Sequence, residues 1–191
     1  MSASPKKKYT AEEYAALECV AEYKSEFYRG EIFPMRGFPF RHNVIKTNLV
    51  CEIGNRIRSQ RLQTLSSTMR IKVEATGLQT YPDVLLLGPD SKFVDETRRC
   101  LLNPLAIIVI RTQNAASRES HYTRIPSVGE IVVVESDEPV CEHYFRTAGG
   151  GTWIRQDIEG LNSSLTFATV NACIPLRGIY AGVEFPEPPL R

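Results

Sequence analysis

The sequence predicts a single α/β domain in which a mixed β-sheet is flanked by helices and followed by an additional β-meander. Residues 41–60 carry a long amphipathic helical pattern. The apolar runs at 83–88 and 105–110 are typical of strands covered on both faces. Further strand patterns follow at meander spacing, at 130–136, 141–147 and 152–158. Helices packed against one sheet are the simplest arrangement of these elements.

The remaining elements follow from local signals. Thr10 and Glu13 form a capping box that opens the first helix. Residues 26–35 predict a strand pair around Arg29-Gly30, and 69–75 alternates as a half-buried strand does. A short helix or turn is predicted at 117–127. The long helix has an apolar face that repeats every four residues, at Ile45, Leu49, Ile53 and Ile57.

Domain organisation and composition predict one globular unit. We expect a basic flexible tail at 1–8, a domain at 9–183 and a proline-rich tail at 184–191. Net charge is +1, so nothing draws the whole chain to a polyanion. Five widely spaced cysteines without a CxxC pair predict reduced thiols in a cytoplasmic protein. No apolar run reaches the length of a membrane span, and we expect no membrane association.

The polar face of the long helix allows two interpretations. Lys46 and Arg56, with Arg58 and Arg61, are most simply the solvated side of an amphipathic helix. Alternatively, Lys46 and Arg56 contact the phosphates of a nucleic acid.

Asp83 is a candidate metal ligand because it opens an apolar strand that is followed by a second one. Hydrolysis of a phosphodiester uses a metal ion that polarises the phosphoryl oxygen and activates water. Mg²⁺ prefers oxygen ligands, and carboxylates on neighbouring strands can share such an ion. Pro82-Asp83 also fits an ordinary turn, so Asp83 alone does not indicate a metal site. A metal site requires a second acid nearby.

Four stretches stand in the order found in one protein family: "TAEEYAALE…AEYKSEFYRGEI", "RHNVIKTNL", "TYPDVLLLG" and "LLNPLAIIVI", followed by "HYTRIPSVGEIVVVESDEP". With them the chain resembles the Uma-two family, which is classified among restriction endonucleases of the PD-(D/E)XK nuclease fold. The resemblance covers residues 9–183, nearly the whole chain. It implies a restriction-endonuclease-like core, Mg²⁺- or Mn²⁺-dependent cleavage of DNA, and a homodimer.

The resemblance also implies site residues, and two positions depart from it. Asp83 matches the metal-binding aspartate, while Glu31 and His42 match a glutamate and a histidine of the family; His42 could equally cap its helix. Val109 stands where the family has its second metal-binding glutamate, and Arg118 falls on the lysine position. Valine offers no lone pair to a metal, and arginine does not replace a lysine ammonium.

Two residues near the altered strand are candidate substitutes. Gln113 could offer a neutral amide oxygen, and Arg111, on the same strand face as Val109, could pair with Asp83 in place of a metal. Three functions stay open: a metal-dependent endonuclease with impaired catalysis, an inactive relative that binds nucleic acid or a protein, and a structural homodimer.

Overall fold

The computed structural model describes residues 7–112, 117–147 and 151–185. The helices within these residues are α1 Ala11–Val20, α2 Phe40–Ile57, α3 Glu119–Tyr122 and α4 Leu176–Ile179. The strands are β1 Ser25–Tyr28, β2 Glu31–Pro34, β3 Gln63–Ser66, β4 Arg70–Val73, β5 Leu78–Thr80, β6 Val84–Leu87, β7 Cys100–Leu101, β8 Ala106–Arg111, β9 Glu130–Glu135, β10 Val140–Arg146, β11 Trp153–Glu159, β12 Ser164–Phe167 and β13 Ala172–Pro175. No helix among them combines the length and apolar character that a bilayer crossing needs.

A six-stranded mixed sheet forms the centre, in the order β11-β10-β9-β8-β6-β3. Strand β8 pairs in parallel with β9 and antiparallel with β6. The apolar runs predicted to be covered on both faces are β6 and most of β8, and all four β6 residues are buried. The predicted meander is β9 to β11, whose antiparallel pairs continue this same sheet.

The long helix α2 covers one face of the central sheet. Its buried residues recur every four positions, as the sequence pattern predicts: Ile45, Leu49, Ile53 and Ile57. The β12–β13 hairpin and α4 complete this layer, and Leu165, Phe167 and Ile174 are fully buried in it. The row of buried apolar side chains on α2 stabilises the fold, because burying each such side chain contributes about 1.5–3 kcal/mol.

A second sheet lies over the opposite face, in the order β2-β1-β5-β4-β7. Side chains from both sheets and from the segment around α3 form one core, which includes Ile71, Leu85, Ile107 and Tyr122. Helix α1 adds Tyr14, whose ring stacks on Phe27 at 5.1 Å. The two sheets meet at the end of β5 and the start of β6, which places the residues between them in a cleft.

The local predictions fit these elements. The capping box of α1 is present, with Glu13 N donating to Thr10 Oγ1 at 3.1 Å and Thr10 N to Glu13 Oε2 at 2.8 Å. The β1–β2 turn uses positive φ at Arg29 and Gly30. The sequence patterns do not predict strands β3, β5, β7 and β12, which have two to four residues each. Most of both predicted tails lies outside the described residues.

Candidate functional site

A cavity of about 430 Å³ opens where the two sheets meet. Asp83, Val109 and Arg118 line it, together with Glu26 from strand β1. The β6–β8 register pairs Val84 with Ile108, so the preceding Asp83 stands opposite Val109. The two positions expected to hold the family's metal ligands are therefore adjacent at one end of the central sheet.

Both carboxylate oxygens of Asp83 have partners. The backbone N–H of Ile110 donates to Oδ2 at 2.8 Å. His42 Nε2 lies 3.0 Å from Oδ1, within ion-pair distance but without hydrogen-bond geometry. Asp83 is 7% exposed and His42 is fully buried, so this contact is shielded from solvent.

His42 is positioned by its helix and by an aromatic ring. It is the third residue of α2, and its ring stacks on Phe38 with centroids 4.0 Å apart and planes inclined by 6°. The N-cap residue is Pro39, and no side chain caps the helix, so the capping interpretation of His42 was wrong. Instead the helix brings its imidazole to Asp83, and the catalytic role expected of His42 stays a prediction.

Glu26 is a further acid of the cavity, beside Asp83 and Glu119, and the sequence predictions missed it. It lies in the middle of β1 and is 8% exposed. Its Oε2 forms an ion pair with Arg118 Nη2, and its Oε1 accepts a hydrogen bond from the Thr80 hydroxyl. The one available signal was a carboxylate inside the apolar strand pattern of "SEFY".

Arg111 lines the same cavity but is turned to other acids. Its guanidinium contacts Glu142 at 2.7 Å, Glu135 at 2.6 Å and Glu119 at 3.4 Å. The hydrogen bond to Glu142 and the charges of all three acids raise the pKa of Arg111. The proposed pair between Arg111 and Asp83 is absent from the described contacts, because these three carboxylates hold the guanidinium.

The other predicted residues lie away from the cavity. Glu31 stands at the β1–β2 turn and accepts from Lys8 Nζ at 2.7 Å. Arg56 Nε donates to the carbonyl of Cys173 at 2.7 Å, and its Nη1 pairs with Glu52. Lys46 Nζ lies 3.4 Å from Ser67 Oγ. Gln113 lies outside the described residues.

The oxygen donors of the cavity do not fit a Mg²⁺ or Mn²⁺ ion. Such an ion needs several hard oxygen ligands that are free of competing donors. Asp83 accepts a hydrogen bond from Ile110 N–H and contacts His42. Glu26 is paired with Arg118, and Glu119 contacts Arg111. Val109 presents an apolar side chain. Across the described part of the chain, no group of three or more His, Cys, Asp or Glu side chains is arranged to hold a metal.

Comparison with known proteins identifies the family. Residues 11–175 match the model of the Uma2 (Uma-two) family, described as "Putative restriction endonuclease". An uncharacterized protein of Synechocystis sp. is 29% identical over 164 residues, which cover 83% of this chain and 92% of that protein.

A solved structure has the same fold. It is the crystal structure of a "putative nuclease belonging to DUF820" from Anabaena variabilis, with a TM-score of 0.74 and 14% sequence identity. The match covers 92% of this chain and 99% of that one. The mixed α/β architecture is thus shared with that structure, and the match over residues 11–175 shows that this chain belongs to the Uma2 family.

Proposed function

We propose that this chain is a nuclease-fold protein in which metal-dependent hydrolysis of DNA is lost or strongly reduced. One observation carries the proposal: in the cavity lined by Asp83 and Val109, Glu26 is paired with Arg118. Val109 is the position to which the family resemblance assigns a second metal-binding glutamate. A guanidinium carries the positive charge that an ion would otherwise bring to this acid.

Energetics favour the ion pair over a metal. The side chains of Glu26 and Arg118 are 11% and 30% exposed, so they interact in a partly desolvated cleft. Freeing the Glu26 carboxylate for a metal would leave it without its cation in a partly desolvated site, which is unfavourable. A metal would also have to compete with Ile110 N–H and His42 for Asp83. Asp83 alone then balances only half of the charge of a divalent ion.

A cleavage assay tests this proposal. Supercoiled and single-stranded DNA are incubated with Mg²⁺ or Mn²⁺ and the native protein, Asp83→Asn or Val109→Glu. Asp83→Asn keeps the size of the side chain, which protects the fold. We expect the native protein and Asp83→Asn both to show DNA cleavage no higher than the background rate. Cleavage by native protein that is lost in Asp83→Asn would overturn the proposal.

A second candidate function, binding of a DNA backbone without cleavage, is favoured by Lys24 and Lys46. The two ammonium groups converge on Ser67: Lys24 Nζ donates to its carbonyl at 2.6 Å, and Lys46 Nζ lies 3.4 Å from its Oγ. Their acceptors in the described chain, which include Asn43 Oδ1, are neutral oxygens. Burial and the nearby Lys46 ammonium lower the pKa of Lys24, so an anion there would relieve repulsion.

The salt dependence of DNA binding tests the second candidate. Phosphate contacts release counterions, so the logarithm of the binding constant falls with the logarithm of the salt concentration. Removing one contact makes this negative slope shallower by about 1. We expect Lys46→Ala to show this change. Arg56→Ala is the matched control, because Arg56 is held by Glu52 and the Cys173 carbonyl. Equal slopes for the native protein and both variants would contradict phosphate contact at Lys46.

A further inference from the structure

Among the described residues, strand β11 ends the central sheet, and one side of its backbone has no pairing strand. It has seven residues, whereas the other edge strands β2, β3 and β7 have four, four and two. Within the described residues its pairing partner is β10. β11 contains neither proline nor lysine, and its charged residues, Arg155, Asp157 and Glu159, carry charges of both signs.

Hydrogen bonds at both ends of β11 show which backbone groups point outward. Thr147 N donates to Thr152 O at 3.1 Å, and Gly160 N donates to Pro139 O at 2.9 Å. Residues 152 and 160 therefore turn their backbone groups toward β10, and so do the even-numbered positions between them. The N–H and C=O groups of the odd-numbered residues face away from β10: Trp153, Arg155, Asp157 and Glu159.

We propose that two copies of this chain associate by antiparallel pairing of their β11 strands, with the two-fold axis at Gln156. In this register Arg155 stands opposite the partner's Asp157, and Trp153 opposite the partner's Glu159. All four are hydrogen-bonded positions, because their N–H and C=O groups are the outward ones. The contact is isologous and closes as a dimer, which joins two six-stranded sheets into one.

The side chains of β11 are complementary to themselves in this register. Arg155 and Asp157 form a bidentate ion pair within the strand, at 2.8 and 3.1 Å, and Arg155 Nη2 also lies 3.3 Å from Glu142 Oε1 on the neighbouring strand β10. The two-fold axis repeats this attraction across the interface. On the other face, Ile154, which is 41% exposed, meets the partner's Ile158. Opposite charges and apolar pairs facing across two strands both favour pairing.

Charge reversal with mixing tests the dimer. Sedimentation equilibrium of the native full chain should show a monomer–dimer equilibrium. Arg155→Glu places two like-charged pairs at the interface, and so does Asp157→Arg, so each should raise the dissociation constant about tenfold or more. A mixture of the two variants should restore dimers, because opposite charges then face each other across the interface.

The mixture distinguishes a weakened interface from a folding defect within one chain. The intrachain Arg155–Asp157 pair is lost in each variant whether or not they are mixed, so a defect of that kind cannot be rescued by mixing. Unfolding curves of each variant confirm that the monomers fold. A native chain that stays monomeric overturns the proposal, as do dimers that neither substitution weakens. Failure here leaves the proposed loss of catalysis untouched, because β11 supplies no residue to the Asp83 cavity.

Discussion

His42 Nε2 lies 3.0 Å from Asp83 Oδ1, joining the start of the long helix to the start of a central strand. His42 is fully buried, and its ring also supports Phe38. This contact holds the carboxylate that the family resemblance implies as a metal ligand. It therefore has a structural consequence whether or not a metal binds.

Removing the imidazole should destabilise the fold. His42→Ala leaves a cavity beneath Phe38 and a buried Asp83 carboxylate with one partner fewer. We expect the free energy of unfolding in urea to fall by about 3 kcal/mol. Thr47→Ala, on the exposed side of the same helix, is the control and should change it by less than about 0.5 kcal/mol. Similar losses in both variants would contradict a role for the His42–Asp83 contact.

Stability should depend on the ionisation of Glu130. Burial raises the pKa of this carboxyl, but hydrogen bonds from His143, Thr169 and Ala168 outweigh burial, so it lies below the ordinary 4.5. A lowered pKa in the folded state contributes stability that is present above pH 4.5 and is lost as pH falls through the folded value.

Glu130→Gln measures that contribution. At pH 7 the substitution should cost about 2 kcal/mol, because the glutamine NH2 group cannot accept from one of the two backbone N–H donors, Ala168 and Thr169, and the remaining hydrogen bonds become neutral ones. Urea unfolding between pH 7 and pH 3 should show the difference between native protein and variant shrinking below the ordinary pKa of 4.5. A difference that stays constant down to pH 3 would mean that Glu130 is not held in its charged form by the fold.

Arg111 should stabilise the fold by neutralising three acids. Arg111→Met leaves Glu119, Glu135 and Glu142 facing one another without their shared cation. We expect a loss of about 1–2 kcal/mol in low salt and a smaller loss in 1 M salt, since ions screen the repulsion. Arg177→Met, at an exposed position, is the control. A defect that does not respond to salt would assign the loss to packing instead.

The main elements of the fold were predictable because their patterns are local. The four-residue repeat of α2 and the apolar runs of β6 and β8 follow directly from burial on one face or on two. Strand β7 was not predictable from the sequence. It consists of Cys100 and Leu101, which pair with the distant strand β4. A two-residue strand has no period to detect.

The candidate site was predictable only in part, for a related reason. Asp83, Val109 and Arg118 were each singled out, and all three line one cavity. Glu26 was missed because its partner Arg118 lies 92 residues away, and nothing local distinguishes it from a solvated acid. Arg111 was expected near Asp83 from strand alternation, but alternation gives only the face of a strand. Acids on β9 and β10 decide where its guanidinium binds.

Calorimetric titration with Mn²⁺ is the sharpest test of a lost metal site, because it measures metal binding without requiring cleavage. Native protein is compared with Val109→Glu/Arg118→Lys, which adds one carboxylate beside Asp83 and removes the guanidinium that pairs with Glu26. Circular dichroism confirms that the double variant folds. We expect no binding by native protein below about 1 mM and binding by the double variant at least about tenfold tighter. The loss of the metal site would be contradicted if the native protein bound Mn²⁺ as tightly as the double variant and Asp83→Asn abolished this binding.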